Sequence, residues 1–142
     1  MRKEILGSIR AARAFGAALA HKRARVFAFT GPLGSGKTTV IRGMLRALGV
    51  RGRILSPSFL VFRRYPLWHR RHEAVYHADF YRLRSPRELR AADFGVILRD
   101  SRNLVLIEWA ERARRMLPRG TVWIFLRHGR NIRERVVYMR RR

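Results

Sequence analysis

Eight consecutive residues, Gly31-Pro32-Leu33-Gly34-Ser35-Gly36-Lys37-Thr38, satisfy the pattern G-x-x-x-x-G-K-[ST] at every position. Their types answer to a phosphate. Three glycines and a φ-restricted Pro32 let the backbone curl until successive N–H groups point inward at oxygen. A helix that starts there adds the positive end of its dipole. Lys37 is placed to reach the β- and γ-phosphates, the Thr38 hydroxyl to ligate Mg²⁺, and Thr39 to donate to the α-phosphate. The bland alternative is a glycine-rich turn with an incidental lysine, and the flanking residues argue against it. An apolar run, Val26-Phe27-Ala28-Phe29, precedes the loop as a buried strand would. Val40, Ile41, Met44, Leu45 and Leu48 then recur at helical spacing, with Gly49 placed to end the helix. The pattern implies nucleotide binding.

Such a site needs a carboxylate at the end of a neighbouring strand, to hold Mg²⁺ through water or to position the attacking water. The chain has nine acids, so their placement is informative. Leu104-Val105-Leu106-Ile107-Glu108 is four aliphatics closed by an acid, and Ala74-Val75-Tyr76-His77-Ala78-Asp79 is a second, less apolar candidate. The bland readings are a solvated strand end for Glu108 and an arginine-paired surface acid for Asp79. His77 reads as a structural strand residue bonded to a backbone carbonyl, because phosphoryl transfer asks for positioning more than for a base. The other histidines show no metal-ligand spacing.

These residues must be held by a scaffold that alternates strands and helices. Ile5, Ile9, Ala12, Phe15 and Leu19 predict an amphipathic N-terminal helix. Strands are predicted at 60–65 and 74–81, joined by a polar connection from Pro66 to Glu73. Ser85, Pro86 and Glu88 write a helix start with a capping box. A strand over 103–107, a short basic helix to Leu117 stopped by Pro118, and strands at 121–126 and 132–139 around a Gly129 turn complete the chain. The expectation is one three-layer α/β domain, 1–142, with a largely parallel sheet and antiparallel additions.

Composition narrows the classes. There is no cysteine, which excludes disulfides and thiolate metal sites. No apolar run approaches a membrane span and no signal core is visible, so a cytoplasmic location is the default expectation. Lys plus Arg number 33 against 9 Asp plus Glu, a net charge of +24. Lys3, Lys22 and Lys37 are the lysines, and every other basic residue is arginine. Two readings compete: a surface that meets RNA or another polyanion, and an arginine bias with no partner behind it.

Taken together, the loop Gly31–Thr39, Ser56-Pro57-Ser58-Phe59, His77-Ala78-Asp79-Phe80-Tyr81-Arg82-Leu83 and the pair Glu108-Trp109 resemble the TsaE (YjeE) family in order and spacing. That family is the ATPase component of bacterial tRNA threonylcarbamoyladenosine synthesis. The resemblance covers roughly residues 12 to 130. It implies a P-loop ATPase using ATP and Mg²⁺, with TsaD and TsaB as partners and the basic surface available to tRNA. It implies Ser56 and Ser58 in a switch loop near the γ-phosphate, and Asp79 as the acid of an HxDxYR motif. Glu108 would be a metal-side or water-positioning acid, Trp109 would lie beside the nucleotide, and Arg130 would belong to a glycine–arginine pair near it. Three departures stand out: Ser58 where threonine is usual, Ala12 where a threonine often precedes the first helix's glycine, and the extreme basicity.

Two other classes fit parts of the sequence. A small-molecule P-loop kinase would use the same loop and needs an arginine lid, for which the Pro66–Glu73 segment is the candidate. A non-catalytic RNA-binding module would leave Lys37 without a role. A regulatory GTPase is disfavoured, because no lysine follows an asparagine and the guanine-reading motif is therefore absent.

Overall fold

The computed structural model describes residues 2–57, 61–68 and 71–141. Seven strands form one sheet in the order β1-β7-β6-β2-β5-β4-β3. They are β1 (Arg2–Leu6), β2 (Val26–Thr30), β3 (Phe62–Pro66), β4 (Ala74–Asp79), β5 (Asn103–Glu108), β6 (Val122–His128) and β7 (Arg135–Arg141). The centre, β6-β2-β5-β4, is parallel, and the flanking pairs β3·β4, β6·β7 and β1·β7 are antiparallel. Helices α1 (Ile9–Leu19) and α2 (Lys37–Ala47) lie on one face; α3 (Pro86–Ala91), α4 (Phe94–Arg99) and a 3₁₀ turn (Ala110–Ala113) cover the other. This is the three-layer α/β arrangement of a P-loop NTPase.

The parallel centre is buried from both sides, which is why β2 and β5 read as unbroken apolar runs. Phe27 and Phe29 point into the α1–α2 face, and Ala28 and Val26 into the other. Helix α2 carries the phosphate loop at its start, so its seating matters most. Two glycines let α1 press against it: a Cβ on Gly16 would stand 2.0 Å from Val40 O, and one on Gly43 would stand 2.2 Å from Arg13 O. The backbones meet where any side chain would hold them apart.

Several expected boundaries move. Ile5 belongs to β1, not to the first helix. Gly7 and Ser8 break the pattern, and the Ser8 hydroxyl accepts from Ala11 N at 3.0 Å to cap α1. Ile9 is 66% exposed and contributes nothing to the buried face, which Ala12, Gly16 and Leu19 form. Strand β3 starts at Phe62, and Leu60 lies outside the described residues. The basic helix before Pro118 is a single 3₁₀ turn, because Trp109 takes a left-handed conformation (φ 55°) and the chain leaves the strand sharply. Residues 132–134 form the β6–β7 turn, so the last strand is Arg135–Arg141. The Glu88 carboxylate accepts from Ser85 N at 3.1 Å, as its capping box predicts, and Gly49 (φ 88°) follows the C-cap of α2.

Candidate nucleotide site

The loop leaves β2 at Thr30 and enters α2 at Lys37. Gly31 has φ 142°, and a Cβ there would strike Leu126 O at 2.1 Å, so the tight passage beside β6 requires glycine. Gly34 and Gly36 also take positive φ, and Gly36 is the N-cap of α2. The loop is braced from outside by the β6–β7 hairpin: Arg135 Nε donates to Gly34 O at 3.1 Å, and His128 Nε2 lies 3.2 Å from Leu33 O.

Sheet order then brings the acids in. Strand β5 lies beside β2 and β4 beside β5, with Phe29 opposite Glu108 and Glu108 opposite Asp79. The loop, Glu108 and Asp79 therefore stand in a row at the carboxyl ends of three adjacent parallel strands. This is the edge where open α/β sheets bind ligands.

Glu108 is 2% exposed, which removes its reading as a solvated strand end. Its two carboxylate oxygens accept from the Thr38 hydroxyl at 3.0 and 2.8 Å. Its Oε1 also accepts from His77 Nε2 at 2.9 Å. His77 thus bonds a carboxylate, not the backbone carbonyl expected for it. In the β4–β5 register it sits opposite Leu106, diagonal to Glu108 on the same face. Asp79 is half-buried and holds Tyr81 N at 2.9 Å. Burial pushes its carboxyl above the ordinary 3.8 and Glu108 adds to the rise, while the Tyr81 N–H, His77 and Lys37 oppose it.

Lys37 is 5% exposed. Its ammonium donates to Gly31 O at 2.8 Å and Pro32 O at 2.9 Å, and lies 4.0 Å from the centroid of the Trp109 ring. Burial lowers its pKa from 10.5, against the pull of Glu108, Glu111 and Asp79. Trp109 in turn meets the Tyr81 ring at 5.0 Å. The left-handed turn at Trp109 is what swings its indole from the strand over the lysine.

A cleft of about 450 Å³ lies over these groups, lined by Leu33, Gly34, Gly36, Lys37, Thr38, Thr39, Ser56, Asp79, Tyr81, Arg82, Glu108 and Trp109. Gly31, Pro32 and Ser35 do not line it: the first two meet Lys37 through their carbonyls, and Ser35 is buried. Ser56 reaches it, and Ser58 lies outside the described residues. Arg130 does not line this cleft; it sits exposed in the β6–β7 turn, its N–H on Glu134 Oε1 at 3.0 Å. Past Gly34, Gly36 and Thr39 the loop borders a second cleft of about 530 Å³, shared with Ser8, Ile9, Ala12, Ile132, Arg133 and Arg135. The described ends of the Pro66–Glu73 connection do not line the cleft. The connection precedes β4 at Ala74, whereas the cleft lies past the other end of that strand at Asp79.

The donor set suits a hard divalent cation beside a phosphate. A hydroxyl and a carboxylate already share one position, Thr38 Oγ1 to Glu108, and both are oxygen ligands. Among the described residues no group of three or more His, Cys, Asp or Glu could hold a metal. Mg²⁺ is commonly held by one or two protein oxygens together with water and substrate phosphates.

A family profile described as "Threonylcarbamoyl adenosine biosynthesis protein TsaE" matches residues 6–137. The chain belongs to the TsaE family. It is 36% identical over 97 residues to the tRNA threonylcarbamoyladenosine biosynthesis protein TsaE of Haemophilus influenzae, covering 66% of this chain and 57% of that protein. With the Rickettsia bellii protein of the same name it shares 35% over 117 residues, 82% of this chain and 76% of the relative. With that of Streptomyces coelicolor it shares 41% over 83 residues, 58% and 54% respectively. The chain thus spans little more than half the length of two of these relatives. The crystal structure of YdiB from Bacillus subtilis superposes with a TM-score of 0.72 at 22% identity, over 96% of this chain and 82% of that one, a likeness of fold.

What the sequence did not single out is the apparatus around the motif residues. His77 as a brace for Glu108, Arg135 as a brace for the loop, and Ile9 and Ile132 beside the second cleft all depend on contacts between distant segments. Tyr81 belongs to the same apparatus: it lines the cleft with its ring centroid 5.0 Å from that of Trp109.

Proposed function

We propose that this TsaE-family chain binds MgATP on the Gly31–Thr39 loop and hydrolyses it slowly alone. It would act as a nucleotide switch on a TsaD–TsaB enzyme core in tRNA threonylcarbamoyladenosine synthesis. The observation that carries the reading is the triad of contacts at one sheet edge: Thr38 hydroxyl on Glu108, His77 on Glu108, and Lys37 held against the loop it serves.

Each residue has a task that its surroundings explain. The loop N–H groups and the α2 dipole receive the phosphates. Lys37 exchanges Gly31 O and Pro32 O for phosphate oxygens, so nucleotide arrival releases the ammonium from the loop and from Trp109. Thr38 and Glu108 would hold Mg²⁺, which neutralises charge developing on the phosphates. Glu108, fixed by His77, also orients the attacking water, and Asp79 shares that rim from the adjacent strand. Trp109 and Tyr81 cover the lysine and respond to its movement. Ser56, at the cleft, and Ser58 belong to a switch loop that senses the γ-phosphate. The second cleft, between α1 and the β6–β7 turn, receives the base side of the nucleotide, with Arg130 nearby.

Two variants separate binding from turnover. Lys37→Ala should weaken MgATP affinity tenfold or more, in line with the ~1.5–3 kcal/mol of a hydrogen bond to a charged group. Glu108→Ala should leave affinity within a fewfold and lower turnover by about a hundredfold. Titration with a fluorescent ATP analogue and a phosphate-release assay read the two effects. Unchanged binding and turnover in both variants would remove the assignment.

A further inference from the structure

The edge of the sheet opposite the nucleotide cleft carries a separate feature. Arg23, Arg25, Arg71, Arg119 and Arg141 line a cleft of about 230 Å³ below the starts of β2 and β6. An adjoining cleft of about 280 Å³ shares Arg23 and Arg141 and adds Lys22 and Arg140. The two clefts meet at Arg23 and Arg141, and among the described residues no acid lines either one; Arg140 turns its guanidinium over the Phe125 ring on the other face of the sheet. Two acids on neighbouring segments are engaged elsewhere: Arg102 holds Asp100 at 2.8 Å and Glu73 at 3.3 Å. Arg25 is anchored by Asp100 O and Leu98 O at 2.9 and 3.3 Å, which fixes one guanidinium in place as a floor. His72 registers the local field: burial first, then Arg71 and Arg25, push its pKa below 6.5.

Arginine scattered by composition would be interleaved with whatever acids the chain has. Here guanidiniums from separate segments of the chain converge with no acid lining the clefts, and Asp100, which neighbours Arg25, is ion-paired to Arg102. Gathering like charges in a cleft is unfavourable unless an anion fills it, and guanidinium forks match phosphate oxygens in pairs. The β3–β4 connection that carries Arg71 also carries an exposed aromatic. Trp68, 78% exposed, precedes Arg71 by three residues in the β3–β4 connection, so their Cα atoms lie within about 11 Å. Its indole borders a further hollow with Tyr65 and Arg51. A charged track next to an exposed aromatic is the design of single-strand binding surfaces.

We infer that this edge binds a single-stranded stretch of RNA, its phosphates on Arg23, Arg71, Arg119 and Arg141 and an unpaired base on Trp68. The inference is independent of the nucleotide site and predicts that the two ends of the sheet work separately. The test uses a fluorescein-labelled single-stranded RNA of about ten nucleotides, titrated across a salt series. The triple variant Arg23→Ala/Arg119→Ala/Arg141→Ala changes three exposed side chains. It should weaken binding at least tenfold and reduce the slope of log K against log salt by about 2, near 0.7 for each phosphate no longer neutralised. Trp68→Ala should weaken binding about tenfold without changing the slope. A charge-matched control, Arg42→Ala/Arg87→Ala/Arg90→Ala, and Lys37→Ala should each stay within about threefold of the parent. Equal losses from both triple variants would overturn the inference in favour of diffuse attraction by the +24 charge. Loss with Lys37→Ala would place the RNA in the nucleotide cleft. Equal displacement by a polyglutamate of matched charge, with Trp68→Ala unchanged, would overturn RNA as the occupant.

Discussion

Glu108 joins two elements of the cleft through one carboxylate, taking the Thr38 hydroxyl from α2 and His77 from β4. The acid itself is visible in the sequence because an aliphatic run can end in a carboxylate only where the strand reaches a polar edge. Its partner is not visible. His77 meets Glu108 through the diagonal of a parallel pair, and a register slip of one residue would turn it to the other face. Trp109 over Lys37 is hidden for a similar reason, since it depends on one left-handed residue that no propensity announces. Asp79 offers a prediction in pH. Its folded pKa is raised above the ordinary 3.8, so the folded state binds the proton more tightly than the unfolded chain does. Stability from this group is therefore greatest below that value and falls as pH rises through the folded pKa, then stays lowered. Asp79→Asn removes the ionisation. Thermal melting should show the variant gaining on the parent at pH 7 and gaining less at pH 4; a gain larger at pH 4 would contradict the sign.

At the scale of elements, strand–loop–helix around the phosphate loop was the most legible part, because pattern, glycines and helical period agree over a short span. The N-terminal element was the least. Ile5, Ile9 and Ala12 happen to fall at helical spacing, yet Ile5 pairs with Val136 in β7 at the far end of the chain. Local periodicity carries no information about such a partner, and the break lies in two small residues, Gly7 and Ser8. The seat of α2 was equally out of reach, since Gly16 and Gly43 read as weak points in their helices until each is found against the other's backbone. Gly43→Ala tests this seat. Alanine improves helix propensity by about 1 kcal/mol, but overpacking costs about 1–3 kcal/mol, and a Cβ at 2.2 Å from Arg13 O belongs at the upper end. Urea unfolding should show a net loss of about 1–2 kcal/mol. A more stable variant would mean that α1 and α2 are not held at this separation.

Across the whole molecule, the parallel centre of the sheet gives the chain two dissimilar ends. One gathers the phosphate loop with Asp79 and Glu108, and the other gathers arginines around the strand starts. The net charge of +24 was plain in the composition, but the meeting of five arginines in one cleft was not, because they come from segments spread from Arg23 to Arg141. Among the described residues no helix is long and apolar enough to cross a membrane. The exposed ring of Tyr81 and Ser56 both line the cleft over the phosphate loop. The measurement that bears most directly on the central claim is steady-state ATP turnover with Mg²⁺ at moderate salt, alone and with a purified TsaD–TsaB pair, without tRNA. Slow turnover alone, raised at least tenfold by the pair and lost in Glu108→Ala, is the predicted result. Turnover indifferent to the pair, or undiminished in Glu108→Ala, would contradict a nucleotide switch built on this site.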